Sequence, residues 1–223
     1  MSSTKRDRAI MILQKEISVF VYDAVQLEGI NFTLPEVQTL LEGVTIGGHK
    51  ISDQNIAINQ GLAWKQLISW IKDDEFELTI TKACDLHAVA AKEDAPEWGK
   101  FRSGPVSIAG TNYKPPESKN LEFRFNQMIE ESSEIADPIN RAISVFLQMA
   151  RNQFFYDVNK RMGRFFMNGI LVNEGLPPIN LPVIKKLEFN KLMLDYYPTG
   201  KEQAMNDFLR GCINPYHWEI LKD

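Results

Sequence analysis

Gln153-Phe154-Phe155-Tyr156-Asp157-Val158-Asn159-Lys160-Arg161-Met162-Gly163-Arg164 puts an acid, an amide and two arginines on a short turn that runs into an apolar helix. The turn lies between two runs of helical period, Ala142 to Ala150 and Met162 to Leu171. Asp157 and Asn159 therefore stand where the next helix begins and its unpaired N–H groups point outward. Arg161 and Arg164 are three apart and share a helical face, which suits a pair of charged forks gripping one polyphosphate. Lys160 adds a cation at the same turn, and Val158 offers its backbone N–H while resisting the positive φ that a glycine would allow. Asp157 is the natural ligand for magnesium, a hard cation that prefers carboxylate, water and phosphate oxygens. Phosphate binding is the chemistry to which this pattern points.

Working outward, helical periods run through 6–27, 34–41, 53–72, 78–91, 121–135, 138–150, 160–172, 184–196 and 201–211. Only Gly99 to Pro116 asks for strands. Its apolar and polar residues alternate around Val106 and Ile108, punctuated by Gly104-Pro105 and Gly110, and the pattern predicts one short hairpin. With 44% hydrophobic and 24% charged residues, the 223-residue chain is ordinary for a globular protein with one sizeable core. Twenty-five Lys and Arg against 29 Asp and Glu, without a large basic cluster, argue against nucleic acid as a partner. No apolar stretch is long enough to span a membrane and the polar N-terminus lacks the apolar core of a signal peptide, so a cytoplasmic location is expected. Cys84 and Cys212 form no metal-binding or disulfide pattern. Of the histidines, His87 belongs to a helix as a core or supporting residue, while His49 and His217 read as surface or packing residues.

The turn is similar to the signature of the Fic (Fido) family, His-Pro-Phe-x-Asp/Glu-Gly-Asn-Gly/Lys-Arg-x-x-Gly-Arg. Phe155, Asp157, Asn159, Lys160, Arg161, Gly163 and Arg164 fit it, and Met167-Asn168 with Gly175-Leu176-Pro177-Pro178 resemble its continuation. The resemblance implies an all-α, mainly helical Fic fold with one short β-hairpin flap. It implies a protein that binds ATP with magnesium and transfers AMP to a target Ser, Thr or Tyr hydroxyl. Nucleotide binding then falls to Asp157, Val158, Asn159, Lys160, Arg161 and Arg164, with Asp157 on the metal. The Asn159-Lys160-Arg161 triplet also resembles the Doc toxins, relatives that phosphorylate their targets.

This chain departs from the signature at its catalytic position. Gln153 stands where the family carries its histidine, Phe154 replaces the proline and Val158 the first glycine. That histidine is the general base, typically worth about 10²–10⁴-fold in rate, and an amide cannot take its proton. Gln153 therefore implies slow or altered transfer that relies on positioning, with Asp157 as the fallback proton acceptor when no metal holds it. A catalytically silent domain that senses nucleotide or binds a protein partner is the alternative, and both readings stay open.

Two further segments resemble family elements. The predicted hairpin corresponds to the flap that aligns a target protein as an added strand, placing Val106, Ser107, Ile108, Thr111, Asn112 and Tyr113 along the target. Ala24-Val25-Gln26-Leu27-Glu28-Gly29-Ile30 is similar to the inhibitory segment Ser/Thr-x-x-x-Glu-Gly/Asn-Asn, which implies autoinhibition through a Glu28–Arg164 ion pair. The resulting expectation is a single Fic-type domain over 1–223, with an inhibitory-type helix at about 6–30, a core at about 31–178 and a C-terminal helical extension at about 179–223. Association into homo-oligomers through helix faces is common among such proteins.

Overall fold

The computed structural model describes residues 4–222 and is helical almost throughout. Ten α-helices follow one another among these residues: α1 (Lys5–Leu27), α2 (Leu34–Leu41), α3 (Ile51–Lys72), α4 (Ile80–Ala90), α5 (Leu121–Ser133), α6 (Pro138–Asn152), α7 (Asn159–Asn173), α8 (Lys186–Thr199), α9 (Gln203–Arg210) and α10 (Pro215–Leu221). Local chemistry sets many of the starts. Thr4 and Thr33 close capping boxes with Asp7 and Glu36, so that two orphan N–H donors at each helix entry are satisfied. Asp137 caps α6 ahead of Pro138, a residue whose missing N–H costs nothing at a first helical position. Helix α10 lies beyond the last helical period read in the sequence, within the expected helical extension: Asn214 accepts the Tyr216 N–H and starts a short helix that buries His217 and Leu221.

Helices α6 and α7 are the central antiparallel pair, joined by the turn that carries the site. They pack tightly at Gly163, where an added Cβ would lie 2.8 Å from the Phe146 carbonyl oxygen and 2.9 Å from its ring. The glycine of the signature is therefore a packing requirement. Around this pair, Trp64 of α3 meets Phe20 of α1 and Phe165 of α7 edge-on, with ring centroids 5.2 and 4.6 Å apart. A second aromatic group, Phe101, Phe125, Phe154 and Phe155, seats the turn itself on the core. One continuous hydrophobic cluster extends from Ala9 to Leu221. Asn168, fully buried on α7, exchanges two hydrogen bonds with the backbone of Ile179 and so fixes the chain leaving the helix.

The expected hairpin does not form. Residues 101–117 carry a turn at Ala109–Gly110 but no ladder, and the one bridge among the described residues is between Ile179 and Ile213. An isolated two-stranded hairpin is marginal in water, and this segment is fastened by side chains instead. Arg102, almost fully buried, donates to the carbonyls of Gln153, Gly104 and Pro116 at 2.6, 2.7 and 2.5 Å. Tyr113 stacks beside Tyr197 and lies under the Arg151 guanidinium. The alternation that predicted strands instead turns Val106 and Ile108 inward and Pro105, Ser107 and Ala109 outward.

Placing a methyl group at the α6–α7 contact overpacks it, a change that typically costs about 1–3 kcal/mol. Gly163→Ala should lower the urea midpoint by a corresponding amount at unchanged m-value, whereas Gly29→Ala, whose Cβ meets nothing within 4 Å, changes stability only through its positive φ.

Candidate functional site

The turn between α6 and α7 is left-handed at two non-glycine positions, Gln153 at φ 50° and Val158 at φ 66°. The Asn159 amide holds it closed: Oδ1 accepts the Phe155 N–H at 2.9 Å, while Nδ2 donates to the Phe155 carbonyl at 2.8 Å and to Gln153 Oε1 at 3.2 Å. Asn159, expected among the nucleotide ligands, is thus buried and occupied as a staple. Gln153 is occupied too, its Nε2 donating to the Ala150 carbonyl at 2.6 Å. Val158 adopts the positive φ it was expected to resist, at a strain of order 1–3 kcal/mol, and donates its N–H to Asp157 Oδ1 at 2.5 Å. That N–H therefore faces the adjacent carboxylate rather than an incoming phosphate.

His87 of α4 supports the turn from beneath. Its ring stacks on Phe155 at 3.8 Å between centroids, Nδ1 accepts the Gly99 N–H, and Nε2 lies 3.3 Å from the Asp157 carbonyl oxygen. With Nδ1 an acceptor, Nε2 carries the proton and donates. Burial lowers the pKa of this imidazole from 6.5 to about 4; the Arg161 charge adds to the effect and the Asp157 carbonyl opposes it. Neutral and hydrogen-bonded at both nitrogens, His87 has no lone pair free to take a proton from a group in the site.

A cavity of about 470 Å³ opens above the turn. Gln153, Tyr156, Asp157 and Lys160 form its floor, Ser107, Ile108 and Ala109 its flap side, and α8 its far wall through Phe189, Asn190, Met193, Leu194 and Tyr197. The α8 wall and Tyr156 were missed in the sequence, since nothing in the spacing of a C-terminal helix says which face meets a distant turn. Of the expected flap residues, Val106, Thr111, Asn112 and Tyr113 stand outside this lining. Asp157 is exposed into the cavity and is its sole carboxylate. No group of three His, Cys, Asp or Glu side chains among the described residues could hold a metal by itself. A magnesium ion would fit Asp157 only together with phosphate oxygens and water, its ordinary manner of binding.

The two arginines sit elsewhere. Arg161 and Arg164 face a crevice between α1, α3 and α7, lined also by Gln60 and Asn180. Arg161 is nearly buried among three carboxylates, with Asp94 at 2.7 Å, Glu28 at 3.9 Å and Asp157 at 4.0 Å. The guanidinium of Arg164 has no ion-pair or hydrogen-bond partner among the described residues. Burial and the neighbouring Arg161 bring its pKa down to about 10, with Glu28 and Asp23 opposing. The expected Glu28–Arg164 pair is corrected accordingly: Glu28, at the C-terminal cap of α1, is closest to Arg161 and influences Arg164 only through its field. Although its desolvation acts upward, Lys160, Arg161, Arg164 and Lys186 together hold the Glu28 carboxyl below its ordinary range. Asp94 and Arg102 were also not singled out in the sequence; each is a lone charge in a loop, visible as important only from its partners.

Residues 77–171 match the Fic/DOC family. Over that stretch the chain is similar to Fic/DOC domains. It is 28% identical over 183 residues to protein adenylyltransferase fic-1 of Caenorhabditis briggsae, covering 80% of this chain and 36% of that protein. Protein adenylyltransferase Fic of Drosophila persimilis is 29% identical over 168 residues, 73% of this chain and 32% of that protein. The chain thus spans about a third of the length of the curated relatives it matches. Among solved structures, Fic-1 of Caenorhabditis elegans superposes with a TM-score of 0.80 at 20% identity, over 97% of this chain and 71% of that one. A Fic-domain-containing signalling protein of Bacteroides thetaiotaomicron gives a TM-score of 0.81 at 18% identity, over 95% and 88%. These two likenesses establish the mainly helical Fic fold.

The depressed His87 pKa sets a pH window for the stability of this chain. Between about 6.5 and about 4 the unfolded chain takes up a proton that the folded one refuses, so the contribution is complete above the upper value and lost as pH falls towards the lower. Urea unfolding should show about 2 kcal/mol of this stability lost between roughly pH 7 and pH 5, and His87→Gln should remove that part of the pH slope.

Proposed function

We propose that this chain binds Mg-ATP in the cavity above Asp157 and Lys160 and resembles protein adenylyltransferases, with transfer slowed by Gln153. The observation that carries this reading is the continuity of one cavity over the motif turn, the flap and α8, beside two arginines of which Arg164 has no side-chain partner among the described residues. Asp157 would hold magnesium through the carboxylate oxygen not engaged by Val158, and Lys160, without an ion-pair partner among the described residues, would meet phosphate oxygens from the cavity floor. Arg164 would take the end of the polyphosphate. The bound metal supplies charge neutralisation on the phosphates.

In adenylyl transfer, the target hydroxyl oxygen bonds to the α-phosphorus, the bond to the bridging oxygen breaks, and pyrophosphate leaves. The hydroxyl proton is left to water in the open cavity, a weaker acceptor than a positioned side-chain base. Gln153 cannot accept it, and both ends of its amide are already hydrogen-bonded. Its reach into the cavity therefore supports positioning alone. The flap limbs share no backbone hydrogen bond, which leaves main-chain donors and acceptors for a target segment to pair with. A cytoplasmic protein substrate fits this reading. The second reading, a nucleotide-sensing domain without turnover, is favoured by the Gln153 hydrogen bonds themselves.

Thermal unfolding with and without Mg-ATP tests the binding, because a ligand of the native state raises Tm. Intact-mass spectrometry after incubation with ATP then tests transfer. Position 153 is left-handed, a conformation in which histidine is enriched, so Gln153→His should fold. We expect a Tm increase for both forms and AMP addition faster by about 10²-fold or more in Gln153→His. Absence of any Tm change would overturn the Mg-ATP reading, whereas binding without AMP addition in either form would leave the sensing reading.

A further inference from the structure

We infer that the crevice between α1, α3 and α7 is a binding site for one small inorganic anion, chloride by its size, held by Gln60 together with Arg161 and Arg164. The crevice is separate from the cavity above Asp157 and Lys160, with which it shares no lining residue. Its polar walls are Gln60, Arg161, Arg164 and Asn180, two guanidinium groups and two amides with no carboxylate among them. Gln60 of α3 is 1% exposed, and its Nε2 has no hydrogen-bond partner among the described residues. Arg161 is in the same condition at Nη1 and Nε. Asp94 lies 2.7 Å from its Nη2 and Glu28 3.9 Å from its Nε, but neither acid lines the crevice. The Arg164 guanidinium has no side-chain partner among the described residues, and Asn180 spends its Nδ2 on Asp23.

Buried donors are nearly always paired, and leaving one unpaired is costly. Donors of two buried residues border this one small void, so its fitting occupant is a single acceptor. The space open to the centre of a water-sized sphere is about 10 Å³, room for one particle and too little for a phosphate or sulfate. A water fits by size but must place two hydrogens of its own, and neither guanidinium accepts one. A monatomic anion accepts from every side. Charge points the same way: burial brings the Arg164 pKa down to about 10, the Arg161 charge adds to this, and Glu28 and Asp23 oppose it only in part. Taking an ion out of water is offset only where opposite charge and directed donors meet it together, and the crevice supplies both. The apolar frame is rigid, since Trp64 packs edge-on against Phe20 and Phe165 with centroids 5.2 and 4.6 Å away. The ends of Gln60 and Arg164 adjust by the small difference between chloride and water. An anion held there joins α3 to α7 beneath α1 and stabilises the folded chain according to its occupancy.

Thermal unfolding without nucleotide tests this, with sodium chloride replacing sodium gluconate at constant ionic strength, on wild type, Gln60→Leu and Gln60→Glu. We expect the wild-type Tm to rise saturably, by about 2–4 °C once chloride is roughly five-fold above its dissociation constant. Gln60→Leu removes the donor and Gln60→Glu sets a carboxylate against the arginines, so both should lose most of that rise; Gln60→Glu serves alone should Gln60→Leu not fold. Crystals soaked in sodium bromide should show the anomalous peak of bromide in the crevice. A wild-type Tm equal in chloride and gluconate means that water alone fills the crevice and overturns the inference, as does an equal rise in all three forms or bromide found only on the surface. With no nucleotide present, the outcome stands whether or not the chain binds Mg-ATP.

Discussion

Two left-handed residues, Gln153 and Val158, bend the chain sharply enough for α7 to return along α6, and every other part of the site depends on that bend being held. Neither is glycine, so the backbone stores strain that the surroundings must overcome. Asn159 does so from within the turn, His87 and the phenylalanines from beneath, and Arg102 from the flap. Charge is used here for shape. The Arg102 guanidinium is matched by carbonyl oxygens alone, and its pKa is lowered by burial, with Tyr156 opposing. A charged donor paired with neutral acceptors fixes geometry through several directed bonds, without the lock of a buried ion pair.

Because the turn is fixed, its polar groups separate into two environments. Asp157 and Lys160 point into an open cavity where water and phosphate can reach them. Arg161 and Arg164 turn towards α1, where desolvation makes each unpaired charge costly. Asp94 and Glu28 offset that cost from two sides, and Asp23 contributes to Arg164 at longer range. Asp23 also anchors the start of α8 by accepting from Asn180 at 2.5 Å and from the Val183 N–H at 2.9 Å. The helix that bears Glu28 is consequently tied to the helix that walls the cavity, so any movement of α1 is felt on both sides of the site.

Much of this was legible from residue order. Strong periodicity located nine helices to within a few residues, since that signal is local. The flap was misread because alternation reports which side chains face inward and says nothing about whether two limbs bond to each other. Asn159 was misread for a related reason: an amide in a phosphate-binding turn can serve a ligand or the turn itself, and only its three partners distinguish these roles. Asp94, Arg102 and the α8 wall lie 59, 51 and at least 36 residues from the segments they meet, counted from Gln153 for the first two and to Phe189 for the third. Nothing local in the chain marks those contacts.

Gln153 has a structural role of its own in the turn. Glutamine's longer side chain folds back over the end of α6, bonding the Ala150 carbonyl and receiving the Asn159 amide. It thereby supplies the helix end with one of the acceptors' missing donors and reinforces a turn that also carries an unfavourable Val158. An imidazole has one donor and one acceptor on a rigid ring and cannot reproduce both bonds from the same direction. In this chain the two Gln153 bonds therefore strengthen the turn that the left-handed Val158 strains, and the bend keeps its shape through their balance.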